Sequence, residues 1–166
     1  MRIATPVTIA DGAQTPMVGE ITFEIIRRLV AAGIVASRVY ECRGDSLAAG
    51  VLPAIDVMPQ SASSSEVGAT GTRLGYLGAT RHDLQVTVTV YARETGSTPA
   101  TQVVDPVVHA AHAAVMADLT MGGLAARVQL TQRRWNPAVA DGTHLSVELI
   151  YTVVHATKAD DLSVGV

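Results

Sequence analysis

The sequence predicts an α+β fold: an antiparallel or mixed β-sheet with two α-helices packed on one of its faces, an extended loop and terminal arms. Two segments repeat apolar residues at spacings of three and four, which is typical of amphipathic helices. Other segments alternate apolar and polar residues, which is typical of strands with one buried face. The predicted order is helix, strand, strand, long loop, strand, helix, strand, strand. Neighbouring strands without a helical crossover favour antiparallel pairing and place both helices on one face.

The first helix is predicted over residues 16–32. Thr15 can accept a hydrogen bond from the free N–H groups at the helix start, and Pro16 suits the first helical position because no N–H partner is needed there. Gly33 suits the left-handed conformation that ends many helices. The apolar stripe of this helix consists of Val18, Ile21, Ile25 and Leu29.

The second helix is predicted over residues 99–118, with Thr98 as its cap. A start with Asp105 as the cap and Pro106 as the first helical residue obeys the same rule and stays open. We expect an irregularity around Pro106, since proline disrupts a helix interior. The predicted apolar face comprises Val103, Val107, Ala110, Ala111, Ala114 and Val115, and Gly122 and Gly123 end the region.

The strands are predicted at 37–42, 51–59, 84–93, 126–134 and 144–156. The single cysteine, Cys42, is predicted to be a small buried apolar residue within the first of these strands. One cysteine cannot form an internal disulfide, and it excludes a cysteine-based zinc site. The last two strands form a hairpin, because turn-forming residues lie between them.

One face of the sheet is predicted to contact other protein. Thr87, Thr89 and Tyr91 point away from the apolar side of the third strand, and Ile150 and Val154 lie on the second face of the fifth. A face bearing Ile and Val is too apolar for full exposure, so we expect another subunit to bury part of it. The alternative is that the long loop folds back over this face.

The domain organisation is predicted as an N-terminal arm at 1–14, a single α+β domain at 15–157 and a C-terminal tail at 158–166. Within the domain, residues 60–83 are rich in Ser, Gly, Ala and Thr and are predicted to form an extended loop. Such a composition buries too little apolar area to offset the entropy lost on ordering, so the loop is either mobile or ordered by a partner.

The charge and hydropathy of the chain argue against two classes of partner. Twelve Lys and Arg against 15 Asp and Glu give a net charge of −3, which is a poor match to a nucleic-acid binder. No apolar run approaches the roughly 18 residues that span a bilayer, and no secretory signal is evident. We therefore expect a protein made in a reducing cytoplasm, with no membrane partner and no specific nucleic acid.

The histidines do not form a recognisable site in the sequence. His109 and His112 share a helix face, but a metal needs further ligands, and His82, His144 and His155 lie in a loop, at a strand start and near a strand end. No pattern typical of a nucleophile, a phosphate-binding loop or a calcium loop is present. We predict no enzyme activity, no catalytic residue, no metal site and no cofactor.

Three stretches resemble the tail terminator proteins (minor tail protein U-like, also called tail completion proteins) of long-tailed phages and prophages. These are ITFEIIRRLVAAGI with the strand after it, LQVTVTVYARE, and DPVVHAAHAAVMADLTMGGLAARVQLTQRRW with the closing strand HLSVELIYTVVHAT. The resemblance covers roughly 16–58 and 84–156. The arm at 1–14 and the loop at 60–83 depart from the small members of the family.

The resemblance implies a virion structural protein, assembled in the host cytoplasm and located in the tail. Its expected form is a homohexameric ring that caps the tail tube, ends tube polymerisation and joins the tail to the head–neck complex. The expected partners are further copies of itself, the tail tube protein and a neck or head-completion protein. The candidate interface residues are Arg73, Tyr76, Arg81, Thr87, Thr89, Tyr91, Arg133, Arg134, Ile150 and Val154.

The arginines of this set, at positions 73, 81, 133 and 134, are candidates for contacting an acidic partner surface; the alternative is that water solvates each of them. Two other functions stay open. One is a neck or head-completion protein of a phage, because such proteins also use small ring-forming α+β subunits. The other is a small metal- or ligand-binding α+β enzyme domain that uses His109, His112 and His144.

Overall fold

The computed structural model describes residues 17–43, 52–66, 79–137, 144–158 and 161–165. Two α-helices and six β-strands lie in these ranges. In chain order they are α1 (Met17–Ala31), β1 (Val39–Glu41), β2 (Ala54–Glu66), β3 (Ala79–Arg93), α2 (Ala100–Met116), β4 (Arg127–Pro137), β5 (His144–Lys158) and β6 (Asp161–Gly165).

The strands form one mixed sheet in the order β1-β2-β3-β5-β4, and β6 adds to β5. β1 runs parallel to β2, whereas the β2–β3, β3–β5, β4–β5 and β5–β6 pairs are antiparallel. The predicted hairpin of the last two long strands is confirmed as β4 and β5. The predicted fold class, α+β with a mixed sheet, is therefore confirmed.

Both helices pack against the same face of the sheet. α1 contacts β1 and β2, α2 contacts β3 and β5, and the two helices contact each other. The apolar stripe of α1 is buried at Ile21, Ile25 and Leu29. The apolar residues of the alternating strand patterns form the part of the core that the sheet contributes. Val88 and Leu149, for example, are cross-strand partners and both are buried. No helix in the described ranges is long and apolar enough to cross a membrane.

The helix bounds differ slightly from the predicted ones. α1 ends at Ala31, and Gly33 has a φ of +65°, which agrees with its predicted role at the helix end. Thr15 and Pro16 lie outside the described residues. α2 starts one residue after Pro99 and runs as one helix through Pro106, which is exposed. The expected irregularity around Pro106 does not interrupt the helix. Pro106 lies on the exposed side of α2, so water can bind the backbone carbonyl that lacks the N–H of this residue.

The prediction of a loop over 60–83 is wrong at both ends. β2 continues to Glu66 and β3 starts at Ala79, and the two strands pair along this whole length, with Ser64 opposite His82. Pairing satisfies the backbone groups of both strands, so a serine-rich strand can be ordered without a large apolar content. The remaining residues of the predicted loop, 67–78, lie outside the described ranges.

Two further predictions are corrected. Residues 161–165 of the predicted tail form β6, because the end of β5 extends beyond β4 and offers free backbone groups there. Cys42 is exposed and follows β1 with a φ of +48°, so it is not a buried strand residue. The predicted N-terminal arm, 1–14, lies outside the described residues.

Candidate functional site

The sheet face opposite the helices is the main candidate surface. Residues that pair directly across neighbouring strands share a face, so the register defines rows across the sheet. The central row consists of Met58, Thr87, Ile150 and Gln132, from β2, β3, β5 and β4 in turn. Neither α1 nor α2 packs on this open face. The strand residues that are buried against the helices, such as Val88 and Leu149, alternate with those of the open face and point to the other side of the sheet.

The centre of this open face is mixed in polarity and partly buried within a single chain. Met58 and Ile150 alternate there with Thr87 and Gln132, and the buried Asp56 lies in the next row. Thr87 is only 6% exposed, because Met58 and Ile150 flank it on the neighbouring strands. Ile150 and Val154 are half-buried. Tyr91 is also half-buried, and desolvation, followed by the nearby Asp56 carboxylate, raises the pKa of its phenol. The face therefore presents β-branched Thr87 and Ile150 at its centre and Tyr91 further along β3, among polar residues.

Charged residues surround this centre, and several are already paired. Arg81 donates to both carboxylate oxygens of Asp83, at 3.0 and 3.4 Å. Arg134 lies 3.9 Å from the carboxylate of Glu148, which also accepts a hydrogen bond from Asn136 at 2.9 Å. The charge of Arg81 is therefore partly neutralised by Asp83, which lies two residues away on the same face of the strand. This makes Arg81 a weaker candidate for binding an acidic partner.

Seven of the ten sequence-predicted interface residues lie on the open face, as the register places them. Arg133 does not: it pairs with Leu149, whose side chain faces the helices. The cause is a β-bulge at Thr131, between Leu130 and Gln132, which shifts the alternation of β4 by one residue. Arg73 and Tyr76 lie outside the described residues. The seven are Arg81, Thr87, Thr89, Tyr91, Arg134, Ile150 and Val154.

A second surface feature was missed by the sequence analysis. Trp135 lies on the helix side of β4, next to α2, and is 44% exposed. The Arg133 guanidinium stacks over the indole at 4.6 Å from the ring centre and pairs with Asp105 of α2 at 3.3 Å. The sequence could have indicated this feature, because the chain's only tryptophan directly follows two arginines at the end of the predicted strand 126–134. Tryptophan and arginine are enriched among residues that dominate protein interfaces.

The two histidines of α2 do not act together. His109 is exposed, whereas the Nδ1 of His112 is 3.0 Å from the hydroxyl of Tyr151, with the two rings stacked. Burial raises the pKa of Tyr151, so its hydroxyl stays protonated and can donate to the imidazole. His112 therefore serves packing between α2 and β5. Within the described ranges, no group of three or more His, Cys, Asp or Glu residues is placed to hold a metal ion.

A different pair of histidines is brought together by the sheet. His82 and His155 are cross-strand partners on the helix side, are 7% and 3% exposed, and stack with ring centres 4.9 Å apart. His82 also contacts the hydroxyls of Ser64 and Thr157, each at 2.8 Å. The Nδ1 of His155 has no hydrogen-bond partner, and burial, followed by His82, lowers the pKa of this ring. This cluster is a buried element of the core.

Comparison with known proteins finds a likeness among solved structures. No protein-family model and no curated protein matches the sequence. Among solved structures, a chain from the virion of a native gene transfer agent particle superposes with a TM-score of 0.49 and 15% sequence identity. The match covers 83% of this chain and 96% of the other. A likeness at this level carries no argument about function, so the function has to be inferred from the surfaces of this chain.

Proposed function

We propose that this chain is a structural virion protein of the tail terminator class. It acts as one subunit of a homohexameric ring that caps the tail tube, stops tube polymerisation and joins the tail to the head–neck complex. The observation that carries the proposal is the open face of the sheet, which neither helix covers and which has the half-buried Ile150 in its central row. Val154, also half-buried, lies further along β5, between Asp83 and Arg127. Half-buried apolar side chains on a face that neither helix covers are residues that a partner can shield from water.

The layout of this face fits contact with another protein. Its centre is β-branched and already poor in solvent around Thr87, and its rim carries the charged pairs Arg81–Asp83 and Arg134–Glu148. A non-obligate protein–protein interface is only about as apolar as the rest of a protein surface, so a face of this mixed composition fits one. The paired rim charges add little affinity by themselves, but they disfavour partners that lack matching polar groups.

The sequence resemblance supports the choice of the terminator class. The segments that carry it include most of α1, β3, α2, β4 and β5, so they span the structural body that presents the open face. A subunit of a ring needs to present different surfaces to its neighbours and to the tube, and a sheet with one covered and one open face provides such a division.

The test is assembly on tail tubes with the purified full-length chain. Tubes are polymerised from the tube subunit of the same particle, and the protein is added during elongation. We expect rings at tube ends by electron microscopy and tubes that stop growing. Light scattering after size exclusion should give six subunits per particle. The variant Ile150→Glu, which places a charge in the centre of the open face, should leave capping at least tenfold weaker.

The matched control is His109→Glu, which places the same charge on an exposed position of α2, away from the open face. It should cap tubes as the unchanged protein does. Tubes that elongate normally in the presence of a folded, concentrated sample would refute the terminator role. Ring-shaped particles that bind isolated head–neck complexes and ignore tubes would assign the protein to the neck.

A further inference from the structure

The buried side of the sheet changes from apolar to polar near one end. Leu84 and Val153 are cross-strand partners, and both are buried. Beyond them lies the distal end of the sheet, which consists of residues 63–66 of β2, 79–83 of β3 and 154–158 of β5. The buried residues that the structure describes in this distal end are all polar: His82, His155 and Thr157. Burial of apolar side chains, which holds the rest of the sheet to the helices, therefore contributes little there.

Hydrogen bonds through His82 connect the three strands of the distal end. The Nδ1 of His82 lies 2.8 Å from the Ser64 hydroxyl on β2, and its Nε2 lies 2.8 Å from the Thr157 hydroxyl on β5. A neutral imidazole has one donor and one acceptor, and a hydroxyl can take either role, so both contacts are satisfied while the ring is uncharged. One side chain therefore joins β2, β3 and β5 where apolar contacts are scarce.

His155 completes the cluster by stacking on His82. The ring centres are 4.9 Å apart, with 21° between the ring planes. The two residues are only 7% and 3% exposed, so a proton added to either ring would place a positive charge where water is nearly excluded. Protonation of both rings would add repulsion between two charges at this short distance. The stack is therefore stable only while its rings stay uncharged.

The strands supply no carboxylate that could pair with a charged ring. Burial lowers the pKa of His155 most, His82 lowers it further, and Asp83 is the carboxylate that raises it. Asp83 lies on the opposite face of β3, next to His82 in the chain, and already accepts two hydrogen bonds from Arg81. Within the described residues, neither histidine ring forms a hydrogen bond or an ion pair with a carboxylate.

The helices on this side of the sheet supply little compensating charge. Glu24 of α1 is bound by Arg28 at 2.8 Å, and Asp105 of α2 is bound by Arg133 at 3.3 Å. Glu20, the remaining acidic residue of the two helices, lies in the first turn of α1 and is partly exposed to water. A positive charge in the cluster would therefore be buried without a bound partner, which is the costly case.

We propose that the His82–His155 stack is an acid-sensitive switch: in mild acid a ring takes up a proton, and the distal end of the sheet opens while the apolar core around Val88 and Leu149 stays folded. Opening lets water solvate the charged ring, which the closed cluster cannot do. The distal end carries Val154 and the Arg81–Asp83 pair of the open face, so opening changes one end of that face and leaves its central row in place. The switch does not depend on the terminator role.

Hydrogen exchange followed by mass spectrometry tests the switch on the full-length chain at pH 7.5, 6.5 and 5.5, with labelling times scaled for the intrinsic exchange rate. Peptides from 60–66, 79–83 and 154–158 should lose about tenfold in protection between pH 7.5 and 5.5, because an exposed imidazole with a pKa of about 6.5 takes up a proton in the open state. Peptides from 86–92 and 100–116 should stay unlabelled over the same times, since they exchange through the rarer complete unfolding. Labelling of both sets together, or unchanged protection of the distal end at pH 5.5, would overturn the proposal.

The variant His82→Gln/His155→Phe has no ring to protonate in the cluster, and its glutamine can still bond Ser64 and Thr157. Its distal peptides should show the same protection at pH 7.5 and 5.5. His109→Gln, which removes an exposed histidine of α2, is the control and should keep the tenfold loss. If circular dichroism shows that the double variant does not fold, His155→Phe alone decides, and it should lose most of the pH dependence. A loss of protection that persists in the folded variant would assign the opening to another group and refute the switch.

Discussion

Arg28 of α1 binds the end of α2 at Asp118. Its guanidinium donates to the backbone oxygen of Asp118 at 2.8 Å and to the carboxylate of that residue at 3.2 Å. Asp118 in turn accepts hydrogen bonds from the backbone of Thr120 and Gly122, at 2.9 and 2.8 Å. The hydrogen bond from the Thr120 hydroxyl contributes most to lowering the pKa of Asp118. One arginine therefore ties the two helices together, and it also reaches the backbone oxygen of Val115, at the end of α2, at 3.4 Å.

Replacing Arg28 should loosen this connection. We expect Arg28→Met to lower the free energy of unfolding by about 2 kcal/mol, because the charged donor is lost and the Asp118 oxygens lose a partner. Urea unfolding followed by circular dichroism measures the change. Arg27→Met is the matched control, since Arg27 is exposed and pairs only with Glu24. If both variants unfold at the same urea concentration, Arg28 does not link the helices in solution.

The His112–Tyr151 contact should contribute modestly to stability. Tyr151→Phe removes the hydroxyl that lies 3.0 Å from the Nδ1 of His112 and keeps the aromatic ring. We expect a loss of about 1 kcal/mol, since one hydrogen bond at the α2–β5 contact disappears. His109→Gln, on the same helix but exposed, should leave the unfolding midpoint unchanged. A larger effect from His109 than from Tyr151 would contradict the packing role assigned to His112.

Stability should depend on pH through His155. Burial lowers the pKa of this ring below its ordinary value of 6.5, so the folded chain holds it neutral where the unfolded chain protonates it. The stabilisation is complete above about pH 6.5 and is lost as the pH falls below that value towards the folded pKa. We expect a slope of at most about 1.4 kcal/mol per pH unit in this window.

The variant His155→Phe should remove this slope, because it keeps a ring beside His82 and cannot be protonated. Unfolding midpoints in urea at pH 7.5, 6.5 and 5.5 provide the comparison. Glu24 does not titrate in this range, since hydrogen bonds from Arg27 and Arg28 lower its pKa to about 2. His109→Gln should keep the full slope. A slope that persists in His155→Phe would assign the pH dependence to another group.

Gly122 is required by the turn that leads into β4. Its φ is +70°, in the left-handed region, and a Cβ atom at this position would meet no other atom within 4 Å. Gly122→Ala should cost about 1 kcal/mol through backbone strain alone, measured by thermal or urea unfolding. Asparagine tolerates this conformation better, so Gly122→Asn should lose less. If Gly122→Ala and Gly122→Asn lower the free energy of unfolding by the same amount, the positive φ of this residue is not the cause of the loss.

The fold could be predicted because its signals are local. The stripe of Ile21, Ile25 and Leu29 indicates a helix that packs on an apolar surface. The alternation around Val88 and Leu149 indicates strands with one buried face. The class of fold follows from the order of these segments. The open face, with Ile150 and Val154, was likewise predicted from alternation within one strand.

Other features needed the pairing of distant segments. The strand ends at 60–66 and 79–83 have a polar composition and are ordered because each satisfies the backbone of the other. The bulge at Thr131 moves Arg133 and Trp135 to the helix side, and no local pattern marks it. His82 and His155 look unrelated in the chain, and only the β3–β5 register stacks them.

The sequence by itself determined the two helices, the apolar parts of five strands and which sides of these are apolar, because side-chain periodicity acts over a few neighbouring residues. The tertiary structure alone decided which strands pair, in what register, and which residues therefore share a face or an edge. The reason is physical: backbone hydrogen bonds between strands carry no residue-specific label, so the register is set by the combined packing of the whole sheet.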